Sequence, residues 1–433
     1  MKLRTTLALF VTCASIAACK HPLGIEGEGD IIELNSGARG CSLDEFQAGL
    51  SNCTDNEVND DETAIYRALP RAGWLFSHWQ GFCTKDSPDE DCQVVYTRGF
   101  ADLWDDAYPN TPLPPLTAVF VQDTGAPAAA PYILSRFGAA GNFGFAELLD
   151  ALFSVDGSYR ITTAQATTRG GFDRTPAAFA RRSDSLLLAG PDDQSLIPAG
   201  GATAAGDFLA LADTDNSDNA ISASYLVPEQ TEADPAVFEG IYYCGHIMSD
   251  GRATFFRANL NGKGGGSMVV ESDRQDRSGQ SVVTYAVEPD GTTTFDYAGL
   301  RLAGGLSEDG SLFAATQISA RLQGAAMCLR TSGDKMVGTV AGSYYGAWMS
   351  TQPVAGVTEL QLDNRGNTVE TVIRDSVGGR NYSLGSDFML VKATGQLETR
   401  ESHGAVSANG QVMFLINTSP NKFPTLVVYV RKT

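Results

Sequence analysis

Four histidines, a run of aspartates and many scattered carboxylates are the side chains of this 433-residue chain that chemistry would call on. His21, His78, His246 and His403 are too widely spaced to pair as metal ligands, and no H-E-x-x-H helix or Gly-x-Ser-x-Gly elbow accompanies them. A structural place is therefore expected for each: His78 on the polar face of a strand, His246 on the strand face it shares with Cys244, and His403 just ahead of a glycine-bounded turn. The run Asp213-Thr214-Asp215-Asn216-Ser217-Asp218-Asn219 sets hard oxygens at alternate positions, as calcium requires. Asp213, Asp215 and Asp218 are the calcium candidate, against a plain solvated turn, because the glycine and distal glutamate of a calcium-hand loop are missing. No other cofactor is expected. Glycoside hydrolysis needs two carboxylates over one cleft, and 51 acidic residues nominate no pair. Tyr242, Tyr243, Tyr344, Tyr345 and Trp348 are suited to line a barrel mouth for a sugar, but a Tyr pair that recurs reads more simply as strand core. The expectation is a protein that is not an enzyme.

The cysteines carry the rest of the chemistry. Lys2 and Arg4 precede an apolar run, Leu7 to Ala18, that is too short to span a bilayer and ends in small residues before Cys19. Ile16-Ala17-Ala18-Cys19 resembles the lipobox of bacterial lipoproteins. That resemblance implies a signal peptide at 1–18, a lipid on Cys19, membrane attachment through it and, with Lys20 following, the outer membrane. Loss of Lys2 and Arg4 makes the formal charge of −20 more negative by two, which disfavours nucleic acid as a partner. Cys13 leaves with the signal. Six cysteines remain in an oxidising compartment, where pairing is the default. Proximity pairs Cys41 with Cys53 and Cys83 with Cys92, and leaves Cys244 for Cys328. Fifteen connectivities are open, so the choice rests on segregation by domain.

The elements that must position these residues are marked by a turn that occurs three times. Gly200 to Gly206, Gly304 to Gly310 and Gly404 to Gly410 each feed an apolar strand, and their last glycines lie 104 and 100 residues apart. Three β-rich repeat units follow, at 132–230 (degenerate), 231–334 and 335–433. Gly240-Ile241-Tyr242-Tyr243 matches Gly342-Ser343-Tyr344-Tyr345, and Asp290-Gly291 matches Thr394-Gly395. In the first unit Gly141-Asn142-Phe143 stands for the opening and Ser183-Asp184-Ser185 for the middle turn, while Phe145 to Leu152 reads as helix. Short Val-, Tyr-, Phe- and Thr-rich runs between Asp-Gly and Asn-Gly turns predict consecutive hairpins. The fold class is mostly β, with up-and-down barrels or a six-bladed propeller as the two closures. Cys244 on a first strand and Cys328 on a last strand favour barrels, which bring those strands together. Val412 to Ile416 and Leu426 to Val430 are apolar on both faces, as between blades or between packed barrels.

Ahead of the repeats, residues 19–35 read as a tether, 36–122 as a domain and 123–131 as an Ala- and Pro-rich linker. Ser42-Leu43-Asp44-Glu45 is a capping box, with Leu43, Phe46 and Leu50 on one helix face. Pro70 to Cys83 sets Trp74, Phe76 and Trp79 on a strand that Gly81 ends, followed by Cys92 and a closing strand Leu116-Thr117-Ala118-Val119-Phe120. This pattern resembles the divergent internalin-type B repeat of bacterial surface proteins, over residues 25 to 122, with a long insertion between Cys92 and Leu116. The resemblance implies a small β-grasp-like module that serves as spacer or interaction module. The expected function is a non-enzymatic outer-membrane or surface lipoprotein acting as scaffold or interaction module, with a protein or carbohydrate partner at the envelope. The alternatives are binding of a small ligand or carbohydrate inside β-barrels and, behind it, hydrolysis of an envelope polymer.

Overall fold

The computed structural model describes residues 22–35, 39–54, 62–81, 91–96, 115–122, 131–140, 143–153, 158–167, 177–181, 185–190, 197–214, 220–275, 278–317, 322–333, 335–352 and 354–432. They fall into two compact units divided between Val121 and Gln122. The first holds strands β1 (Leu23–Glu26), β2 (Gly29–Glu33), β3 (Glu62–Pro70), β4 (Trp74–Gln80), β5 (Cys92–Tyr96) and β6 (Leu116–Gln122), with helices α1 (Leu43–Gln47) and α2 (Ser51–Thr54). Two three-stranded sheets result, β1–β6–β4 and β2–β3–β5, and β1 runs parallel to β6. Tyr66, Trp79, Cys92, Leu116 and Phe120 centre the core, against which Trp74 and Phe76 pack.

The capping box forms as its residue types require. Ser42 Oγ accepts from the Glu45 N–H at 3.3 Å, and Glu45 accepts from the Ser42 N–H at 2.9 Å. Leu43 is buried, but Leu50 is exposed, because α1 stops at Gln47 and the chain turns at Gly49 before reaching it. A disulfide joins Cys41 to Cys53. Cys92 is disulfide-bonded too, and the Cys83 expected as its mate lies outside the described residues.

The second unit contains three β-meanders. The first comprises β7 (Pro131–Ala140), β8 (Phe143–Phe153), β9 (Ser158–Thr167), β10 (Ala177–Arg181), β11 (Leu186–Gly190), β12 (Ile197–Ala202), β13 (Leu209–Asp213) and β14 (Ala220–Pro228). The second comprises β15 (Glu239–Met248), β16 (Ala253–Asn261), β17 (Gly265–Asp273), β18 (Gln280–Val287), β19 (Thr292–Tyr297), β20 (Leu300–Leu306), β21 (Leu312–Gln317) and β22 (Gly324–Arg330). Each closes as an eight-stranded barrel, its last strand pairing with its first. The third comprises β23 (Gly342–Ser350), β24 (Ala355–Leu362), β25 (Asn367–Asp375), β26 (Arg380–Phe388), β27 (Leu390–Val391), β28 (Gln396–Glu398), β29 (Ser402–Val406), β30 (Val412–Asn417) and β31 (Thr425–Arg431). Its β31 also pairs with β23, yet the nine-stranded sheet runs from β26 round to β27 without closing. Apart from the pair of first and last strands, every neighbour is next in the chain, and all pairs are antiparallel, so each unit is one meander and the propeller alternative does not describe it.

The glycine-bounded turn seals one end of each barrel. Gly206, Gly310 and Gly410 sit at φ 72°, 67° and 73°, a region that a Cβ resists. Their carbonyls accept from the hydroxyls of Tyr132 at 2.9 Å, Tyr242 at 2.5 Å and Tyr344 at 3.5 Å, so a first-strand tyrosine is bolted to the turn in all three. Tyr132 thus opens the first unit, rather than Gly141-Asn142-Phe143. At the middle turn Ser185, Gly291 and Gly395 share positive φ, 76°, 87° and 82°. A one-turn helix plugs the same end in the later units: a 3-10 turn, Pro235–Val237, brings Phe238 into the second core, and α3 (Val337–Val340) brings Val340 into the third.

The three barrels pack in cyclic order. β12 and β13 of the first lie on β23, β24 and β31 of the third; β20 and β21 of the second lie on β7, β8 and β14 of the first; β29 and β30 of the third lie on β15 and β16 of the second. A Cβ on Gly305 would come within 2.9 Å of the Val227 side chain, so the glycines of the repeated motif allow wall-to-wall approach. This explains strands that are apolar on both faces. Met413 and Leu415 belong to the interior of the third barrel, while Phe414 and Ile416 are fully buried against Gly245 of the second. Each such outward side chain removes surface worth about 1.5–3 kcal/mol. The same double burial corrects the helix expected at Phe145 to Leu152: these residues are the strand β8, and with Phe145, Ala146, Leu148 and Leu149 all buried no period-two signal is left to read.

Candidate binding site

The three interiors differ in their first-strand residues beyond the shared tyrosine. Where first and last strands face each other, the second barrel has Cys244 and Cys328, the first has Leu134 and Leu226, and the third has Gly346 and Tyr429. The cysteines form a disulfide with Cα atoms 4.1 Å apart. Two residues further along stand Arg136, His246 and Trp348. Arg136 is ion-paired with Glu147 in the buried interior of the first barrel. His246 Nδ1 lies 2.5 Å from the Tyr297 hydroxyl in the second. Burial pushes the imidazole down to about 3, with the positive Arg252 acting the same way, so it is neutral at physiological pH. The second barrel's core is filled by Phe238, Phe256, Phe295, Phe313 and Tyr285.

The third barrel is built differently, and a count of residues says why. From the middle turn to the end of the glycine-bounded turn the chain takes 21 residues in the first unit (185 to 206), 19 in the second (291 to 310) and 15 in the third (395 to 410). The shortening falls on one hairpin. β19 has six residues, while its counterpart β28 has three. In the second barrel β18 pairs with β19 from Val283 opposite Tyr297 to Val287 opposite Thr293. In the third, among the described residues, β26 pairs with β25 only, and from Tyr382 to Phe388 no strand covers its other edge, which leaves a gap in the wall. Asn381 to Phe388 are exposed, Leu384 at 57% and Phe388 at 53%.

Behind this gap lies a polar cluster. Glu370 on β25 accepts from the Tyr429 hydroxyl at 2.8 Å and from Thr358 Oγ1 at 3.0 Å, both through Oε1. Its other oxygen has no partner among the described residues, and the side chain is half-buried. Burial raises its pKa, against the pull of the two hydroxyls. Opposite Glu370 across the β25–β26 hairpin is Gly385, and a Cβ placed there would meet nothing within 4 Å. Gly346 makes the room: a Cβ on it would lie 2.7 Å from the Tyr429 ring. Nearby Asp375 accepts from the Tyr382 hydroxyl at 2.7 Å, and burial and this carboxylate push Tyr382 up to about 12. The other Asp375 oxygen accepts from the backbone N–H groups of Val377 and Gly379, which commits it to the hairpin turn. The indole N–H of Trp348 is buried without a partner among the described residues.

The residues singled out from sequence fall elsewhere. Asp213 ends β13 opposite Ser222, and Thr214 Oγ1 accepts from Arg374 Nε at 3.1 Å. Asp215 and Asp218 lie outside the described residues, as do Cys19 and His21. Among the described residues no group of three or more His, Cys, Asp or Glu is placed to hold a metal ion. His78 lies on β4. His403 stacks on Phe255 at 5.5 Å between the second and third barrels, its pKa lowered by burial and partly restored by Glu398. Glu370 is absent from the sequence-derived candidates. The signal that points to it is the difference between the two glycine steps, 104 and 100 residues, which places a shortened hairpin in the third unit.

No protein-family model matches the chain, and no curated protein does. Among solved structures it is similar to the isotype 1 transferrin binding protein B from serogroup B Neisseria meningitidis, at 9% identity and TM-score 0.26, over 84% of this chain and 85% of that one. It is also similar to the H. pylori beta clamp in complex with 5-chloroisatin, at 8% identity and TM-score 0.10, over 69% of this chain and 91% of that one. At these TM-scores neither likeness bears on fold detail or on ligand. Among the described residues no helix is long and apolar enough to cross a membrane.

Proposed function

We propose that this is an exported, lipid-anchored protein of the bacterial outer membrane that binds a partner without catalysis, and that its third barrel is the binding element. The observation that carries the reading is the shortened hairpin. It opens the wall of one barrel beside an unshared carboxylate oxygen, while the two sister barrels stay closed. The lipobox-like residues before Cys19 support the anchor, and the Cys41–Cys53 and Cys244–Cys328 disulfides suit an oxidising compartment. The first unit's internalin-repeat-like pattern supports a spacer or interaction module at the cell surface. Hydrolysis of a polymer fits less well. A glycosidase needs two available carboxylates, and Asp375 is held by two backbone donors and a tyrosine.

Site-specific photo-crosslinking in cells that make the protein tests this reading. A photoreactive phenylalanine analogue at Leu384 should capture a discrete partner, and the same analogue at Val282, exposed on the closed second barrel, should not. Equal labelling from both positions, or from neither, would refute the third barrel as binding element. Radiolabelled palmitate incorporation that persists in Cys19→Ala would refute the anchor.

A further inference from the structure

Resting on that reading, we infer that the third barrel takes an extended segment of a partner protein, which adds to the edge of β26 between Tyr382 and Phe388 as a wall strand and brings a Lys or Arg side chain to Glu370. The sister barrel shows what shape of occupant the gap accepts. There β19, whose Phe295 and Tyr297 turn into the core, covers β18 from Val283 to Val287, and Ser281, which faces Met268 as Gly385 faces Glu370, lies two residues beyond its end, so a segment that reaches Glu370 runs slightly further than β19 does. The third barrel lacks the outer half of that strand, so the fitting object is a few residues of extended backbone. An uncovered strand edge offers N–H and C=O groups to such a segment; on β26 the N–H groups of Gly385 and Phe388 are held by Ser383 Oγ and Asp387 Oδ1 and exchange partners when it binds, and alternate side chains then enter the barrel.

The chemistry of the inward side chain follows from what awaits it. Glu370 has one oxygen with no partner among the described residues, and the position across from it, Gly385, is open space. A carboxylate in a half-buried site is best completed by a cationic donor, which gains a charge-assisted hydrogen bond. The whole chain works in the same direction: a net charge of −20 attracts basic segments and repels acidic ones. Leu384, Phe388 and Tyr382 on the exposed strand supply apolar contact around the charge. A second copy of this chain offers a poorer occupant, since it carries the same net charge of −20.

Fluorescence anisotropy with the full chain in detergent tests the inference. Three labelled nine-residue probes of alternating Thr and Val are used: one with a central Lys, one with a central Glu, and the Lys probe methylated at alternate backbone nitrogens. The Lys probe should bind saturably and roughly tenfold or more tightly than the Glu probe. The methylated probe should fail to bind, because it cannot pair as a strand. Glu370→Gln should bring the Lys and Glu probes to nearly equal affinity. The inference is overturned if none of the probes binds up to millimolar concentration, if the methylated probe binds as well as the Lys probe, or if Glu370→Gln leaves the preference intact. A dimer by light scattering that Leu384→Asp dissociates would overturn it in favour of a second copy. Probe failure with a crosslinked partner still captured from Leu384 sinks strand addition alone, whereas failure of both experiments sinks the binding reading as well.

Discussion

Cys244 and Cys328 face each other across the seam where the first and last strands of the second barrel meet, both side chains inside the barrel. The bond closes an 84-residue separation and staples the strand pair that makes the meander a barrel. Replacing both by Ser should cost about 2–5 kcal/mol, read as a lowered urea midpoint for the second unit. The corresponding change at Cys41 and Cys53 should leave that transition where it is. An unchanged midpoint in the Cys244/Cys328 variant would mean that inter-barrel packing alone holds the seam shut.

Tyr132, Tyr242 and Tyr344 each donate to the last glycine of the repeated turn, and Tyr344 also donates to Val340 at 2.5 Å. Removing one hydroxyl by Tyr242→Phe leaves the Gly310 carbonyl short of its donor in a buried place. The expected loss is about 1–3 kcal/mol by chemical denaturation. Tyr344→Phe should cost at least as much, since two acceptors lose one donor. Neutral results at both positions would reduce the recurring tyrosine to a packing element.

Gly305 marks the contact between second and first barrels. A Cβ there would lie 2.9 Å from Val227 and 3.2 Å from Ile133, so Gly305→Val forces the walls apart. A destabilisation of about 1–3 kcal/mol is expected, with faster proteolysis between the barrels. Gly333→Ala, where a Cβ meets nothing, serves as control and should stay within about 0.5 kcal/mol of the parent.

The sequence exposes this architecture where a rule is local and hides it where burial is double. Ser42 and Glu45 announce a helix start because both partners of the capping box lie within one turn. Cys244 and Cys328 argue for barrel closure because crosslinking demands proximity. Phe145 to Leu152 mislead because a strand pressed between an interior and a neighbouring barrel shows no alternation. Glu370 is one acidic residue among 51, and nothing in its neighbours distinguishes it. Its importance comes from a hairpin that is short 25 residues later in the chain, and only pairing of β25 with β26 brings the consequence to Glu370.

His246 gives the second barrel a signature in acid. Its folded pKa is about 3 against an ordinary 6.5, so the folded state resists protonation. Stability is therefore intact above 6.5 and is lost as pH falls from there toward 3, by several kcal/mol in total. Thermal midpoints measured from pH 8 to 4 should fall below pH 6.5, and His246→Gln should flatten that fall. A variant with the same slope would place the acid sensitivity elsewhere.

Glu370 carries the opposite sign. Its folded pKa lies above the ordinary 4.5 because burial opposes the charge. Protonation therefore stabilises the fold fully below about 4.5, and that contribution is lost as pH rises through the folded value. Glu370→Gln keeps an acceptor for Tyr429 and Thr358 without the charge, so it should melt higher than the parent at pH 8 and equally at pH 4. A carboxylate that weakens the fold at neutral pH, beside a gap in a barrel wall, is the kind of cost that a binding site retains. Equal melting at both pH values would show that solvent entering the gap already satisfies the charge, leaving a cationic partner little to gain there.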